Sequence, residues 1–240
     1  MKGKTGVGSL AHLLGAAILL PAISLAGLDP TKAITQYAHD NWQTEQGLPQ
    51  NTVPAMVQTS DGYLWLGTEL GLARFDGARF TVFDKANTPE LRNNTVVALL
   101  EDRKGRLWIG TEGGGLTRLE AGRFTTYTTV QGLSNNSVLA LAEDREGNLW
   151  IGTDGGGLNR FHDGRFTVYT TKQGLSDDAV FSIREDGQGS LWIGTHAGLS
   201  RLKNGVFTTY TTKDGLGNRY VKCVYEGWAL RGRSNWKHMF

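Results

Sequence analysis

Leu149-Trp150-Ile151-Gly152-Thr153 is one of four copies of the same pentad. The others are Leu64-Trp65-Leu66-Gly67-Thr68, Leu107-Trp108-Ile109-Gly110-Thr111 and Leu191-Trp192-Ile193-Gly194-Thr195. Their tryptophans, at 65, 108, 150 and 192, stand 43, 42 and 42 residues apart. A period that regular marks a repeat architecture. Read as a strand, the pentad points Leu149 and Ile151 to one side and Trp150 to the other. Both sides are apolar, so the sheet must be covered on both faces, whereas an antiparallel sheet with one wet face would alternate.

Working outward from the pentad, the copy beginning at Asn136 contains three further short runs. Val138-Leu139-Ala140-Leu141-Ala142 precedes it, and Leu158 to Phe161 and Phe166-Thr167-Val168-Tyr169-Thr170-Thr171 follow. Asp- and Gly-bearing turns separate the runs: Glu143 to Asn148, Asp154 to Gly157, and His162 to Arg165. Runs of this length, rich in β-branched and aromatic residues, predict four strands per repeat, a to d. Helix is excluded because no run reaches about 10 residues and Gly recurs throughout. Four strands in about 40–45 residues match a propeller blade. The expected fold is all-β: a β-propeller of four-stranded antiparallel blades. It would be incomplete, with about four full blades, an N-terminal orphan strand and a partial fifth blade. Trp65, Trp108, Trp150 and Trp192 should form its core, each buried against the next blade.

Asp144-x-x-Gly147-Asn148-Leu149-Trp150-Ile151-Gly152-Thr153, then Gly157-Leu158-x-Arg160 and Gly174-Leu175-Ser176, resembles the two-component regulator propeller repeat. The resemblance covers roughly residues 34–226. It implies the N-terminal periplasmic sensor part of a hybrid histidine kinase or related diguanylate cyclase. Family members carry many such blades, then a small β-sandwich, a membrane span and a cytoplasmic signalling domain. By that resemblance this chain is a fragment, and its role is non-catalytic sensing of a ligand or partner.

The flanks follow a different logic. Residues 1–26 read as a signal peptide: Lys2 and Lys4, an apolar run from Leu10 to Leu20, then Ser24-Leu25-Ala26. An uncleaved membrane anchor is the competing reading, but the run is short and contains His12. Either way a periplasmic or secreted location is expected. Residues 27–33 read as a linker. Residues 37–45 read as an orphan d strand, because Trp42 stands five before Gly47 as Tyr127 stands five before Gly132. The first repeat carries Pro54 inside its a run, which should weaken that strand's pairing. The connection over residues 83–94 is two residues longer than its counterparts and is expected to protrude. A fifth repeat starts at Asn218 and follows the pattern to Glu226; residues 227–240 then depart from it, as a truncated or frame-shifted product would. The single cysteine, Cys223, lies among apolar residues and is expected to be a buried thiol.

A net charge of +2 gives no field for nucleic acid or anionic lipid. The five histidines are scattered without metal-ligand spacing. Glu112 to Gly115 and Asp154 to Gly157 lack the helix and lysine of a phosphate loop. No nucleophile elbow is visible. No catalytic residue, metal or cofactor is therefore assigned.

Because strands alternate in direction, the d–a and b–c connections share one face of the disc. Its most variable position follows the Gly-Thr pair: Glu69, Glu112, Asp154 and His196. These are the candidate ligand-binding residues; the plainer reading is that they satisfy turn amides and face water. Asn51, Asn94, Asn136 and Asp178 read as turn caps. Asp61, Asp102, Asp144 and Asp186 recur in the a–b turns on the opposite face. One carboxylate per blade cannot form a glycosidase pair, so they read as structural. Arg74, Arg118, Arg160 and Arg201 recur in strand c, with stems expected to pack on neighbouring blades. The expected partner is an unknown small-molecule or glycan ligand, with a possible homodimer in the full-length receptor and membrane contact only through that receptor or an uncleaved signal. The alternatives on the same fold are a secreted carbohydrate-active enzyme and a protein-binding scaffold.

Overall fold

The structure, a computed structural model, describes Ala33, Thr35 and residues 40–225. The signal segment, nearly all of the linker and the off-pattern tail lie outside the described residues. A first unit ends at Asn41, and a second begins at Trp42. All that follows concerns the second.

Four separate four-stranded sheets make up the described chain. The first comprises β1 (Ala55–Gln58), β2 (Leu64–Thr68), β3 (Gly71–Phe75) and β4 (Phe80–Phe83). The second holds β5 (Val96–Glu101), β6 (Leu107–Thr111), β7 (Gly115–Glu120) and β8 (Arg123–Tyr127). The third holds β9 (Val138–Glu143), β10 (Leu149–Thr153), β11 (Leu158–His162) and β12 (Arg165–Tyr169). The fourth holds β13 (Val180–Glu185), β14 (Leu191–Thr195), β15 (Leu199–Lys203) and β16 (Val206–Tyr210). Each sheet is an antiparallel meander in chain order. The a strands neighbour one another in the order β1, β5, β9, β13, and the series stays open. This is an incomplete propeller. Among the described residues no helix is long and apolar enough to cross a membrane.

The blades stack as the doubly apolar pentad requires. Trp65, Trp108, Trp150 and Trp192 are 4%, 0%, 6% and 5% exposed, so all four are core. Trp65 packs with Leu107 and Ile109 of the next blade, Trp108 with Leu149 and Ile151, and Trp150 with Leu191 and Ile193. The pentad glycine lets blades approach. A Cβ on Gly152 would lie 2.6 Å from Val180 Cγ1 and 2.9 Å from the Val180 carbonyl oxygen, across the joint. The overpacking would cost about 1–3 kcal/mol. Val96, Val138 and Val180, which meet the three preceding pentad glycines, are fully buried.

Several expectations need correction. Among residues 40–45 there is no strand; Thr44–Gln46 forms a 3-10 turn. A strand exists only by pairing, and among the described residues no strand pairs with this segment. The residue that identified the segment still does its packing work: Trp42 meets Phe75 and Phe80 edge-on at 4.7 and 5.9 Å. The beginning of the fifth repeat is likewise unpaired through Tyr225. Yet Val221 is 2% exposed against Trp192, and its N–H donates to the Thr195 carbonyl at 3.0 Å. Cys223 is exposed rather than buried. The long connection folds down: Pro89–Leu91 is a 3-10 turn, and Leu91 is fully buried beside Trp65 and Val96. Pro54 stays outside the ladder, and β1 has four residues where β5, β9 and β13 have six.

Candidate ligand-binding face

On the a–b side, the repeated carboxylates are engaged in structure. Asp102 accepts the Trp108 indole N–H at 2.7 Å, the Arg106 guanidinium at 2.6 Å, and the Lys104 and Arg106 backbone N–H groups at 3.0 Å each. Asp144 takes the Trp150 indole at 2.7 Å and Asn148 through both its backbone and its side chain. Asp186 takes the Trp192 indole at 2.8 Å and the Ser190 backbone N–H. Burial alone would raise the Asp102 carboxyl, but the Trp108 N–H and the Arg106 donors outweigh it and hold it below the usual carboxylate range. Asp186 is lowered by the same balance, with burial opposed by Ser190 and Trp192.

Asp61 is not the equivalent of these three. It stands four residues before its tryptophan, whereas Asp102 stands six before Trp108. The equivalent residue is Thr59, whose hydroxyl accepts the Trp65 indole N–H at 3.1 Å and donates to Asp61 at 2.6 Å. The a–b turns also bind blade to blade. Glu101 accepts the Ser60 backbone N–H, Glu143 that of Arg103 and Glu185 that of Arg145, all within 3.0 Å. The strand-c arginines also make a contact within their own blade. The guanidinium groups of Arg74, Arg118 and Arg201 lie over their own blade's Trp65, Trp108 and Trp192 at 5.7, 5.9 and 5.5 Å, which is cation–π range.

The opposite face is built to hold its hairpins still. The hydroxyls of Thr68, Thr111, Thr153 and Thr195 donate to the carbonyls of Gly71, Gly115, Gly157 and Gly198 at 2.8–3.1 Å. In the adjoining connectors, Asn51, Asn94, Asn136 and Asp178 accept the backbone N–H groups of Thr44, Lys85, Thr129 and Thr171. They do cap turns, but by reaching back across the connector. The local Asx bonds belong to the preceding residues Asn93, Asn135 and Asp177.

On these fixed hairpins Glu69, Glu112 and Asp154 are exposed and His196 is half-buried. Their main chains are held; for instance, the Asp154 N–H donates to the Ser137 carbonyl at 3.0 Å and the His196 N–H to the Ala179 carbonyl at 3.1 Å. Glu69 is engaged by Gln50, whose amide donates to its carboxylate at 3.0 Å and accepts its N–H at 3.1 Å. Among the described residues the carboxylates of Glu112 and Asp154 make no hydrogen bond or ion pair. The His196 ring meets Tyr220 edge-on at 4.1 Å, and Tyr220 stacks on Phe181 at 6.0 Å. Reading the sequence one position at a time singled out His196 and missed both rings. Comparing the repeats at the neighbouring positions would have found them. Among the described residues no group of three or more His, Cys, Asp or Glu side chains could hold a metal ion.

Residues 47–69, 90–113, 132–155 and 174–197 match the family model described as the two-component regulator propeller. These are two-component regulator propeller repeats. Each matched segment begins in a d–a connector and ends just past strand b, so it straddles the joint between blades and closes on the candidate position. Among solved structures, the extracellular domain of a one-component system from B. thetaiotaomicron is similar, with 25% identity and a TM-score of 0.58 over 70% of this chain and 26% of that one. The extracellular domain of a hybrid two-component system from the same organism shows 22% identity and a TM-score of 0.53 over 78% of this chain and 33% of that one. The two-component regulator propeller chain thus spans about a third or less of those structures. A streptogramin B lyase shares the fold at 21% identity and a TM-score of 0.54, over 69% of this chain and 56% of that one. Among curated proteins no match was found.

Proposed function

We propose that this propeller segment is a non-catalytic, extracytoplasmic sensing module of a two-component or diguanylate cyclase receptor. The observation that carries the reading is the contrast within the repeat. The a–b carboxylates are bound up in indole and backbone hydrogen bonds. Glu112 and Asp154, on hairpins clamped by Thr111 and Thr153, are exposed. A preorganised polar rim with variable side chains suits recognition, because little ordering cost falls on binding. The likeness to an extracellular domain of a bacterial receptor supports the extracytoplasmic assignment. In the parent receptor, ligand binding or dimer contacts of the propeller would shift a conformational equilibrium carried through the membrane. The lyase's activity belongs to that protein, and at 21% identity the likeness is one of fold.

The test is calorimetry of the full chain against a panel of small molecules and glycans, with product analysis on the same panel. Saturable binding without turnover is expected, weakened by Glu112→Gln or Asp154→Asn. Product formation, or ATP-dependent autophosphorylation of the purified chain, would overturn the reading.

A further inference from the structure

Residues that stack blades must recur at each joint, because each blade contacts only its neighbours. A residue that breaks the repeat at one joint is free of that duty. Three such breaks occur at the last joint. After strand b the repeats carry Glu69, Glu112 and Asp154, then His196. Before the buried a-run valine they carry Thr95, Ser137 and Ala179, then Tyr220. After that valine they carry Val97 and Leu139, then Phe181.

These three departures touch one another. The rings of His196 and Tyr220 meet edge-on, 4.1 Å between centroids and 72° apart in plane. Those of Tyr220 and Phe181 are nearly parallel, at 13° and 6.0 Å. Tyr220 remains 43% exposed while Val221 beside it is 2% exposed, so the valine closes the joint and the tyrosine is left at the surface. Charge beside the cluster is of both signs. Arg219 precedes Tyr220, and Asp177 stands 19 residues before His196, as Asn135 stands before Asp154. What this joint gains over the others is therefore aromatic surface.

We infer that Phe181, His196 and Tyr220 form a subsite for a planar aromatic or heteroaromatic ring, stacked on Tyr220. The inference rests on the reading of this face as ligand-binding. It narrows that reading by placing discrimination at one joint and naming the chemistry selected.

The experiment is a saturation-transfer NMR and calorimetric titration of the full chain with benzoate, indole and nicotinamide, and with cyclohexanecarboxylate as the saturated counterpart of benzoate. Variants restore residues that other joints carry: Tyr220→Ser, Phe181→Leu and His196→Glu. Thermal melting checks that each is folded, and Asp163→Asn on the opposite face is the control. At least one arene should bind, with benzoate preferred over its saturated counterpart if it is the one. Tyr220→Ser should weaken arene binding about tenfold, in line with one aromatic contact, and the control should not. Retention of arene affinity in folded Tyr220→Ser overturns the subsite. A non-aromatic ligand that is sensitive to Glu112→Gln but indifferent to Tyr220→Ser also overturns it, while leaving the sensing reading intact. Absence of any binding, here and on the wider panel, overturns both.

Discussion

The two faces of this arc carry the same kinds of side chain under opposite conditions. On the a–b side, Asp102 is 5% exposed and ties indole, guanidinium and main chain together. On the b–c side, Asp154 sits one residue past its strand with its carboxylate in water. Repetition alone does not separate them, since both positions recur every blade. What separates them is the indole. A buried Trp N–H needs an acceptor, and the position six residues earlier is where the turn can deliver one. An acid with that duty is fixed by the fold; an acid without it can vary, as it does at His196.

The largest effect should come from removing a carboxylate of the first kind. Asp102→Ala leaves the Trp108 indole N–H buried without its acceptor and the Arg106 guanidinium without its counter-charge. Breaking a pair of this kind costs about 3 kcal/mol, a large share of a typical domain's 5–15 kcal/mol. Asp154→Ala should stay within about 0.5 kcal/mol, as surface changes do. Urea denaturation of both variants checks this, and equal losses would abolish the distinction between the faces.

Acid sharpens the same contrast. The folded-state values of Asp102 and Asp186 are lowered, so each contributes stability that is present above the unfolded carboxylate value of about 3.9 and is lost as pH falls through the folded value. The urea midpoint should therefore fall below about pH 4. Asp102→Asn should flatten that limb. Asp214, in a connector on the opposite face, is also lowered, through the Thr211 N–H and hydroxyl, but it lies at the surface, where solvent screens the interaction.

The blades were legible because a 42-residue period survives any local ambiguity, and the doubly apolar pentad dictates burial on both sides. The misjudged details depend on pairing. Whether residues 40–45 form a strand, and whether Cys223 is buried, is decided by neighbours that the segment's own residues do not encode. Asp61 was grouped with Asp102, Asp144 and Asp186 because it offers the same residue type two positions away from Thr59, which accepts the indole N–H in the first blade. Within the candidate site, Glu69, Glu112, Asp154 and His196 were visible as a register column. Tyr220 and Phe181 fall in other columns, and contact between columns is a property of the folded joint.

The smallest effect tests whether the a–b side, which also carries the c–d hairpins, can be changed without cost to binding. Three of those hairpins are two-residue loops with positive φ at both central residues, as in type I′ turns: Ala121-Gly122, Asp163-Gly164 and Asn204-Gly205. Asn and Asp tolerate that conformation at the first position; alanine pays for it sterically, by about 1 kcal/mol. Ala121 has φ 49° there, so it stores strain that its two counterparts relieve. Ala121→Asn should therefore stabilise the chain by roughly 0.5–1 kcal/mol, read as a higher urea midpoint at unchanged slope. Ligand affinity should not move, because the substitution lies on the face opposite Glu112 and Asp154 and the repeated carboxylates of this side are engaged. A change in affinity with this substitution would mean that the two faces are coupled through the blade, and that the engaged carboxylates do more than hold the turns.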